Sequence, residues 1–170
     1  MPATELQADT WDVVDPDLLA IARKIQDSHR SLSVQMLRMS AGPATGRDSV
    51  FIVQAGEEVE PELLRPIVRG RDIAPFRLAD TSLRMLVPYE FPKTGPPQRI
   101  DLKKYPKARR YLEAHKRELE QRHCVRVWGK PWFDWHDQPP LDLSRELKIV
   151  VPDVAKSSRF AVDDGRRLPV

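Results

Sequence analysis

Proline limits the architecture of this chain more than any other residue type. The 170 residues include 16 prolines, about twice the usual share of ~5%. Because proline lacks a backbone N–H and fixes φ, it interrupts helices and is excluded from central strands. We therefore expect a small ordered framework of short elements, joined by irregular loops that carry the function.

The length and the cysteine content exclude several classes of protein. A chain of 170 residues has room for one domain with a modest core. No apolar run reaches 18 residues, and the acidic N-terminus up to Asp15 does not resemble a signal peptide. Cys124 is the single cysteine, so an internal disulfide framework is excluded. These features predict a cytoplasmic protein without membrane contact.

Charge is unevenly distributed along the sequence. Residues 65–130 hold 17 Lys and Arg against 7 Asp and Glu, a net charge of +10, whereas residues 1–64 carry −6 and residues 131–170 carry −1. A central block this basic can form a positive surface for a polyanion. Charge alone leaves two interpretations open, a nucleic-acid partner and a basic helix that is merely solvated.

Local patterns predict an alternation of helices and strands. Asp15 and Pro16 have the residue types of a helix cap and a first helical position, and apolar residues follow at helical spacing as far as Leu32. The further predicted elements are strands at Ser33–Met39, Val50–Val53, Leu83–Tyr89, Leu147–Val151 and Arg159–Val162, helices at Glu60–Leu64 and Lys103–Arg122, a basic turn at Arg69–Ile73 and a hairpin turn at Asp163–Gly165.

Residues 125–143 show no regular period and are rich in aromatic side chains. We expect Trp132 and Phe133 to anchor this irregular segment on the core. Trp128 and Trp135 remain open between a core position and a base-stacking role. After the predicted turn at Asp163–Gly165 a strand begins without a following partner, which favours a chain that belongs to a larger polypeptide.

Four segments in sequence order resemble the C-terminal specificity domain, the TaqI-like target-recognition domain, of adenine-N6 DNA methyltransferases and fused type II restriction–modification enzymes. Together they cover most of residues 37–162. The segments are the Thr45–Gly46 loop running into Val50–Val53, then Leu64–Ile73, then Tyr105–Arg122, and finally Trp132–Phe133 with Leu147–Pro152.

The resemblance implies an α+β fold, with a mixed β-sheet, a few flanking helices and long loops rich in proline and aromatic residues. Residues 1–36 would be the linker and helix that lead from an absent catalytic domain, and residues 37–170 a partial DNA target-recognition domain. The implied partners are double-stranded DNA and a methyltransferase catalytic domain in cis or in trans. The parent enzyme would use S-adenosylmethionine, and this chain itself would bind no cofactor.

Catalytic motifs of that family are absent from the sequence. No Phe-x-Gly-x-Gly occurs, and the segment Gln138–Leu141 has neither the short polar residue nor the aromatic that flank the two prolines of the adenine-binding motif. His115, His123, Cys124 and His136 lack the paired spacing of metal ligands. We therefore predict no catalytic and no metal-binding residues in this chain.

The candidate DNA contacts fall into two classes. Residues suited to phosphate contacts are Arg47, Arg69, Arg71, Lys103, Lys104, Lys107, Arg109 and Arg110. Residues suited by type and loop position to reading base edges are Arg47, Arg71, Lys156, Ser157, Ser158 and Arg159.

Two alternative functions are compatible with the sequence. One is a protein-interaction or scaffold domain whose basic face meets an acidic partner. The other is a Mg²⁺-dependent nuclease, since Glu146-Leu147-Lys148 matches the second half of a common nuclease motif. The first half, an upstream Pro-Asp on a neighbouring strand, has no counterpart here because Pro16-Asp17 lies at a helix start.

Overall fold

The computed structural model describes residues 15–30, 34, 38–54, 56–138 and 142–170. It divides into two units, residues 1–39 and residues 40–170. Most of the predicted strand at Ser33–Met39, and all but the first residue of the Gln138–Leu141 loop, lie outside the described residues. No helix in the described ranges is long and apolar enough to cross a membrane.

The first unit contains helix α1 (Pro16–Ser28), which begins where the capping residues predict. The Asp15 carboxylate accepts a hydrogen bond from the N–H of Asp17, and Pro16 occupies the first helical position. The predicted cap is therefore confirmed. Leu18, Ile21 and Ile25 form one apolar stripe that is exposed to solvent.

Short strands and two-stranded hairpins make up most of residues 40–170. The strands are β1 (Ile52–Val53), β2 (Leu64–Val68), β3 (Ile73–Ala74), β4 (Arg77–Leu78), β5 (Arg84–Leu86), β6 (Tyr89–Glu90), β7 (Gln98–Arg99), β8 (Leu147–Val150), β9 (Ala161–Asp164) and β10 (Leu168–Pro169). A four-stranded sheet has the order β1-β5-β2-β10, in which β2 and β10 are parallel and the other neighbours antiparallel. The same unit also contains helices, and this combination of a mixed sheet with helices confirms the predicted α+β class.

The α-helices described in this unit are α2 (Asp48–Phe51), α3 (Pro106–Ala114), α4 (Lys116–Glu120) and α5 (His123–Arg126), and short 3-10 helices form at Pro61–Leu63, Gly70–Asp72, Leu102–Lys104 and Leu143–Arg145. The predicted helix Lys103–Arg122 is thus divided, because at His115 the backbone leaves helical geometry with ψ near 6°. The predicted strand at Val50–Val53 is wrong for its first half, which ends α2. A strand would direct Val50 and Phe51 to opposite faces, whereas this turn buries both.

Trp135 lies at the centre of the main core. Its ring meets Phe51 edge-on at 6.4 Å and Tyr89 at 5.3 Å, and its backbone N–H donates to the Tyr89 hydroxyl at 2.8 Å. Trp132 and Phe133 pack against the same core, which confirms their predicted anchoring role. Trp135 is therefore a core residue rather than a base-stacking one.

The C-terminal strand differs from its prediction. Asp163 and Asp164 end β9 instead of forming a turn, and the turn follows at Gly165, with φ 82°. β10 then pairs in parallel with β2, Leu168 opposite Ile67. The sequence shows no partner strand after this segment; in the structure the partner lies about 100 residues earlier and leaves no local signal.

A fully buried carboxylate, Asp163, holds this region together. It accepts hydrogen bonds from Lys148 Nζ at 2.7 Å and from the backbone N–H groups of Gly165, Arg166 and Arg167. Burial raises the pKa of Asp163, but the hydrogen bonds from Lys148, Arg167 and Arg166 outweigh it and leave the pKa below its ordinary value. The charged form is therefore the one that stabilises the fold.

We expect Asp163→Asn to lower the free energy of unfolding by about 3 kcal/mol at neutral pH, because it leaves the half-buried cations Lys148 and Arg167 without the carboxylate that compensates them. The pKa of Asp163 in the folded protein lies below the ordinary 3.8. The difference in unfolding free energy between the wild type and Asp163→Asn is therefore complete above about pH 4 and shrinks as pH falls through the folded pKa. Urea titrations between pH 2.5 and pH 7 measure it. Asp164→Asn, at the exposed neighbour, serves as the control, and equal losses from both variants would contradict the assignment.

Candidate nucleic-acid interface

Two hairpins pack against each other, and with the turn that precedes the first of them we call them the hairpin pair: residues 70–78, which include β3–β4, and residues 147–164, which include β8–β9. Their apolar side chains Ile73, Val150 and Ala161 form a small buried cluster with Val68 of β2. The turn before β3 touches the loop after β8, where a Cβ on Gly70 would lie 3.1 Å from that of Pro152.

Polar contacts also join the two tips of the hairpin pair, which are the turn at residues 75–76 and the loop at residues 151–160. The N–H of Phe76 donates to the carbonyl of Phe160 at 2.9 Å, and Arg159 Nη1 donates to the carbonyl of Ile73 at 3.4 Å. Arg159 is half-buried, so part of its predicted DNA-contacting guanidinium is used to hold the two tips together.

Several predicted DNA contacts lie on the hairpin pair. Arg71, Lys156, Ser157 and Ser158 are all exposed, on the turn that precedes β3 and on the loop between β8 and β9. The exposed Arg77, at the start of β4, joins them. Sequence reasoning missed Arg77, although its position directly after a proline-containing turn is a usable signal.

Arg69 has a different environment from Arg71. Its Nε and Nη2 donate to the two carboxylate oxygens of Asp72 at 2.9 and 3.1 Å. These hydrogen bonds hold the pKa of Asp72 below its usual value against the opposing effect of burial. Arg69 therefore closes the 3-10 turn Gly70–Asp72 and presents Arg71 at the surface.

A second group of predicted contacts lies at α3, where acidic residues bind the backbone of the helix N-terminus and two of the arginines. The Glu60 carboxylate accepts the N–H groups of Lys107 and Ala108 at 2.8 and 2.7 Å. Burial raises the pKa of Glu60, but these backbone hydrogen bonds outweigh it and the pKa is lowered. The helix N-terminus, a common site for phosphate, is thus occupied by a carboxylate of the protein itself.

The arginines of α3 are also paired. Arg109 binds Glu113 at 2.8 Å, and Arg110 forms an ion pair with Glu58. Lys103 and Lys104, by contrast, are exposed and form no ion pair within the described residues. The acidic first part of the chain therefore neutralises some, but not all, of the basic block.

Arg47 lies on a third segment, the loop that leads into α2. Its Nε is 3.1 Å from Oε1 of Glu118. The preceding Gly46 has φ 71° and lies close to His136, to whose Cβ a Cβ at position 46 would be 3.2 Å away. This path keeps Arg47 at the surface, with its side chain partly exposed.

The buried Arg122 fixes this loop, a role that sequence reasoning missed because the helical pattern suggested a surface charge. Only 5% of Arg122 is exposed. Its guanidinium donates to the carbonyls of Thr45 and Trp132, both at 2.6 Å, and of Leu119 at 3.0 Å. Burial lowers the pKa of Arg122. One side chain thus ties the Arg47 loop to the aromatic segment.

Among the tryptophans in the described ranges, Trp128 is the one that remains exposed at the surface. It is 53% exposed, and its ring lies 5.2 Å from that of His123 and 4.6 Å from that of His136. Lys130 Nζ lies 5.9 Å from the same ring. Its exposed face is open for stacking.

The lysine of the nuclease hypothesis is engaged elsewhere. Lys148 Nζ contacts the buried Asp163 carboxylate, and Lys148 pairs with Asp163 across the β8–β9 ladder. Within the described ranges, no three His, Cys, Asp or Glu side chains form a group that could hold a metal ion.

Comparison with curated proteins finds relatives among type II methyltransferases. The chain is 28% identical over 163 residues to type II methyltransferase M.PaeR7I of Pseudomonas aeruginosa, 27% identical over 163 residues to M.XhoI of Xanthomonas vasicola, and 24% identical over 162 residues to M.BstVI of Geobacillus stearothermophilus. The chain is related to the type II methyltransferases of restriction–modification systems. No protein-family model matches it.

The relationship to these methyltransferases extends over nearly the whole chain but over a minor part of each relative. The three alignments cover 95%, 95% and 94% of this chain and 28%, 29% and 28% of the relatives. The methyltransferase-related segment thus spans less than a third of the length of the curated relatives it matches.

We expect Arg122→Leu to lower the free energy of unfolding by about 2–3 kcal/mol, because three carbonyls lose their donor, two of them in buried hydrogen bonds. Urea denaturation measures this loss. Arg117→Leu, at an exposed arginine of α4, is the matched control and should change stability by less than about 0.5 kcal/mol. A similar small change for Arg122→Leu would refute the positioning role.

Proposed function

We propose that this chain is the double-stranded DNA recognition module of a restriction–modification adenine-N6 methyltransferase of the TaqI-like type. Residues 1–36 serve as the linker from the catalytic domain, which lies in cis or in trans and supplies S-adenosylmethionine binding and methyl transfer. Residues 37–170 read the DNA and contribute no catalytic group. The relationship to type II methyltransferases supports the proposal that the chain is part of such an enzyme.

The observation that carries the proposal is the gathering of loop-borne cations and hydroxyls on the hairpin pair. Arg71, Arg77 and Lys156 are exposed there beside Ser157 and Ser158. Guanidinium, ammonium and hydroxyl groups on protruding loops are the donors that reach phosphates and base edges in a groove.

The nearby acids do not cancel this charge. The Asp72 carboxylate is held by Arg69, and Asp80 receives Arg167 Nη2 at 2.7 Å. The remaining acid of the loop between β8 and β9 is the exposed Asp153. The exposed basic groups of the hairpin pair therefore outnumber it, and they give this region a positive surface suited to a polyanion.

A protein-contact function is favoured by one separate feature, the outward face of β8–β9. Leu147, Ile149 and Val162 are exposed there, on the side of the hairpin opposite Val150 and Ala161. Monomeric proteins seldom leave such a group uncovered. In the proposed enzyme this face contacts the catalytic domain, whereas in a scaffold protein it would be the main interface.

Duplex binding tests the proposal. The full chain is used to enrich 30-base-pair duplexes from a random pool, and affinity for an enriched duplex and a scrambled one is measured across salt concentrations. We expect a steep fall in affinity as salt rises, because Lys and Arg release counterions. Failure to bind any duplex at low salt, or to enrich a sequence, would exclude DNA reading by this chain.

Paired substitutions separate the two basic groups. Arg71→Ala with Lys156→Ala should reduce the preference for the enriched over the scrambled duplex by about ten-fold or more, since each base contact contributes ~1–3 kcal/mol of discrimination. Lys103→Ala with Lys104→Ala should lower the affinity for both duplexes equally. It should also reduce the slope of log affinity against log salt concentration by up to about 2. Equal effects of both double variants on the preference would refute the role of the hairpin pair.

A further inference from the structure

The turn that joins β3 to β4 has an unfavourable residue at its tip. The register pairs Ala74 with Arg77, so the loop consists of Pro75 and Phe76 alone. Phe76 has φ 60°, the only non-glycine residue in the described ranges with positive φ. Proline followed by a positive φ is the pattern of a type II turn, whose second position favours Gly or Asn.

Phe76 is also exposed, with 79% of its surface open to solvent. Its ring meets that of Phe160 edge-on, with centroids 5.0 Å apart and planes at 83°. The backbone hydrogen bond from Phe76 to Phe160 fixes the same contact. The ring is thus supported from one side and presented outward on the other.

An exposed aromatic ring and a strained backbone at one residue both oppose stability. Unfavourable features of this kind are concentrated at functional positions, where the binding of a ligand offsets the stability that the free protein loses. Asn or Gly at position 76 would relieve the backbone, and a polar side chain would suit the solvent. The side chain present therefore fits a role in binding.

The charge around the tip indicates what is bound. Arg77 is adjacent in sequence, and Arg71 and Lys156 are exposed on the same hairpin pair. Cations around a protruding apolar side chain match a polyanion with an apolar interior, which is the description of stacked bases between phosphate backbones. An apolar protein surface would leave these charges without partners.

We infer that Phe76 is a wedge that enters a base step of duplex DNA and partly unstacks it, an inference that rests on the DNA-binding function proposed above. The cations hold the flanking phosphates, and Phe160 prevents the ring from folding back onto the hairpin. We expect the ring to insert preferentially at pyrimidine–purine steps, because these steps unstack most easily.

The test compares Phe76→Asn with Phe76→Leu in the full chain. Asn tolerates the positive φ and removes the apolar group, whereas Leu retains an apolar wedge. The probe is the enriched 30-base-pair duplex, with 2-aminopurine replacing one adenine at a time in either strand. Fluorescence reports unstacking at each position, and thermal unfolding reports the fold.

We expect the wild type and Phe76→Leu to raise fluorescence at one step. Phe76→Asn should abolish the rise and weaken binding by about ten-fold, with an unchanged salt slope because no ionic contact is lost. Its thermal midpoint should equal or exceed that of the wild type. A midpoint below that of Phe76→Leu would overturn the strain argument.

The remaining outcomes distinguish the wedge from the function on which it rests. A wild type that binds the duplex without unstacking any position, or a Phe76→Asn variant that matches the wild type in affinity and fluorescence, overturns the wedge and leaves DNA recognition standing. A wild type that binds no duplex overturns the proposed function itself.

Discussion

The Asp163 carboxylate is the interaction on which the arrangement of the two hairpins depends. It binds Lys148 across the β8–β9 ladder and Arg167 Nη1 at 3.3 Å, and Arg167 in turn reaches Asp80, just beyond β4. One network therefore connects both hairpins with the turn into β10. A buried charge is tolerated only when its hydrogen bonds are complete, and here backbone N–H groups complete them. Removing this carboxylate would loosen the framework that presents the basic tips.

Net charge is a poor guide to the surface that meets a partner. The excess of Lys and Arg in residues 65–130 suggests one continuous basic face, but Glu58 and Glu60 neutralise Arg110 and cap α3. Lys103 and Lys104 remain exposed without an ion pair among the described residues, and so do Arg71, Arg77 and Lys156 on the hairpin pair. Long-range pairing thus neutralises part of the helical charge, whereas most of these cations lie on turns and loops, where side chains can enter a groove.

Stability and binding make opposite demands on the tips. Phe76 combines exposure with a left-handed backbone, whereas the small cluster beneath it, including Ile73 and Val150, is well buried. A rigid base with a protruding, strained tip is suited to recognition, because the ordering cost is met during folding rather than during binding. The exposed face that includes Ile149 has no such strain and suits a flat protein contact.

What the sequence by itself determined is local: the Asp15 cap of α1, the turn around Gly70, strand β8 and the α+β class all follow from neighbouring residues and short-range periodicity. It also placed Lys156 on an exposed loop. What only the tertiary structure decided involves partners far along the chain, such as the burial of Arg122 against the carbonyl of Thr45, 77 residues away. The tip at Phe76 escaped prediction because its turn lacks the Gly or Asn that signals a positive φ. Local pattern fixes which element forms, but only packing decides which charges and rings remain free to bind.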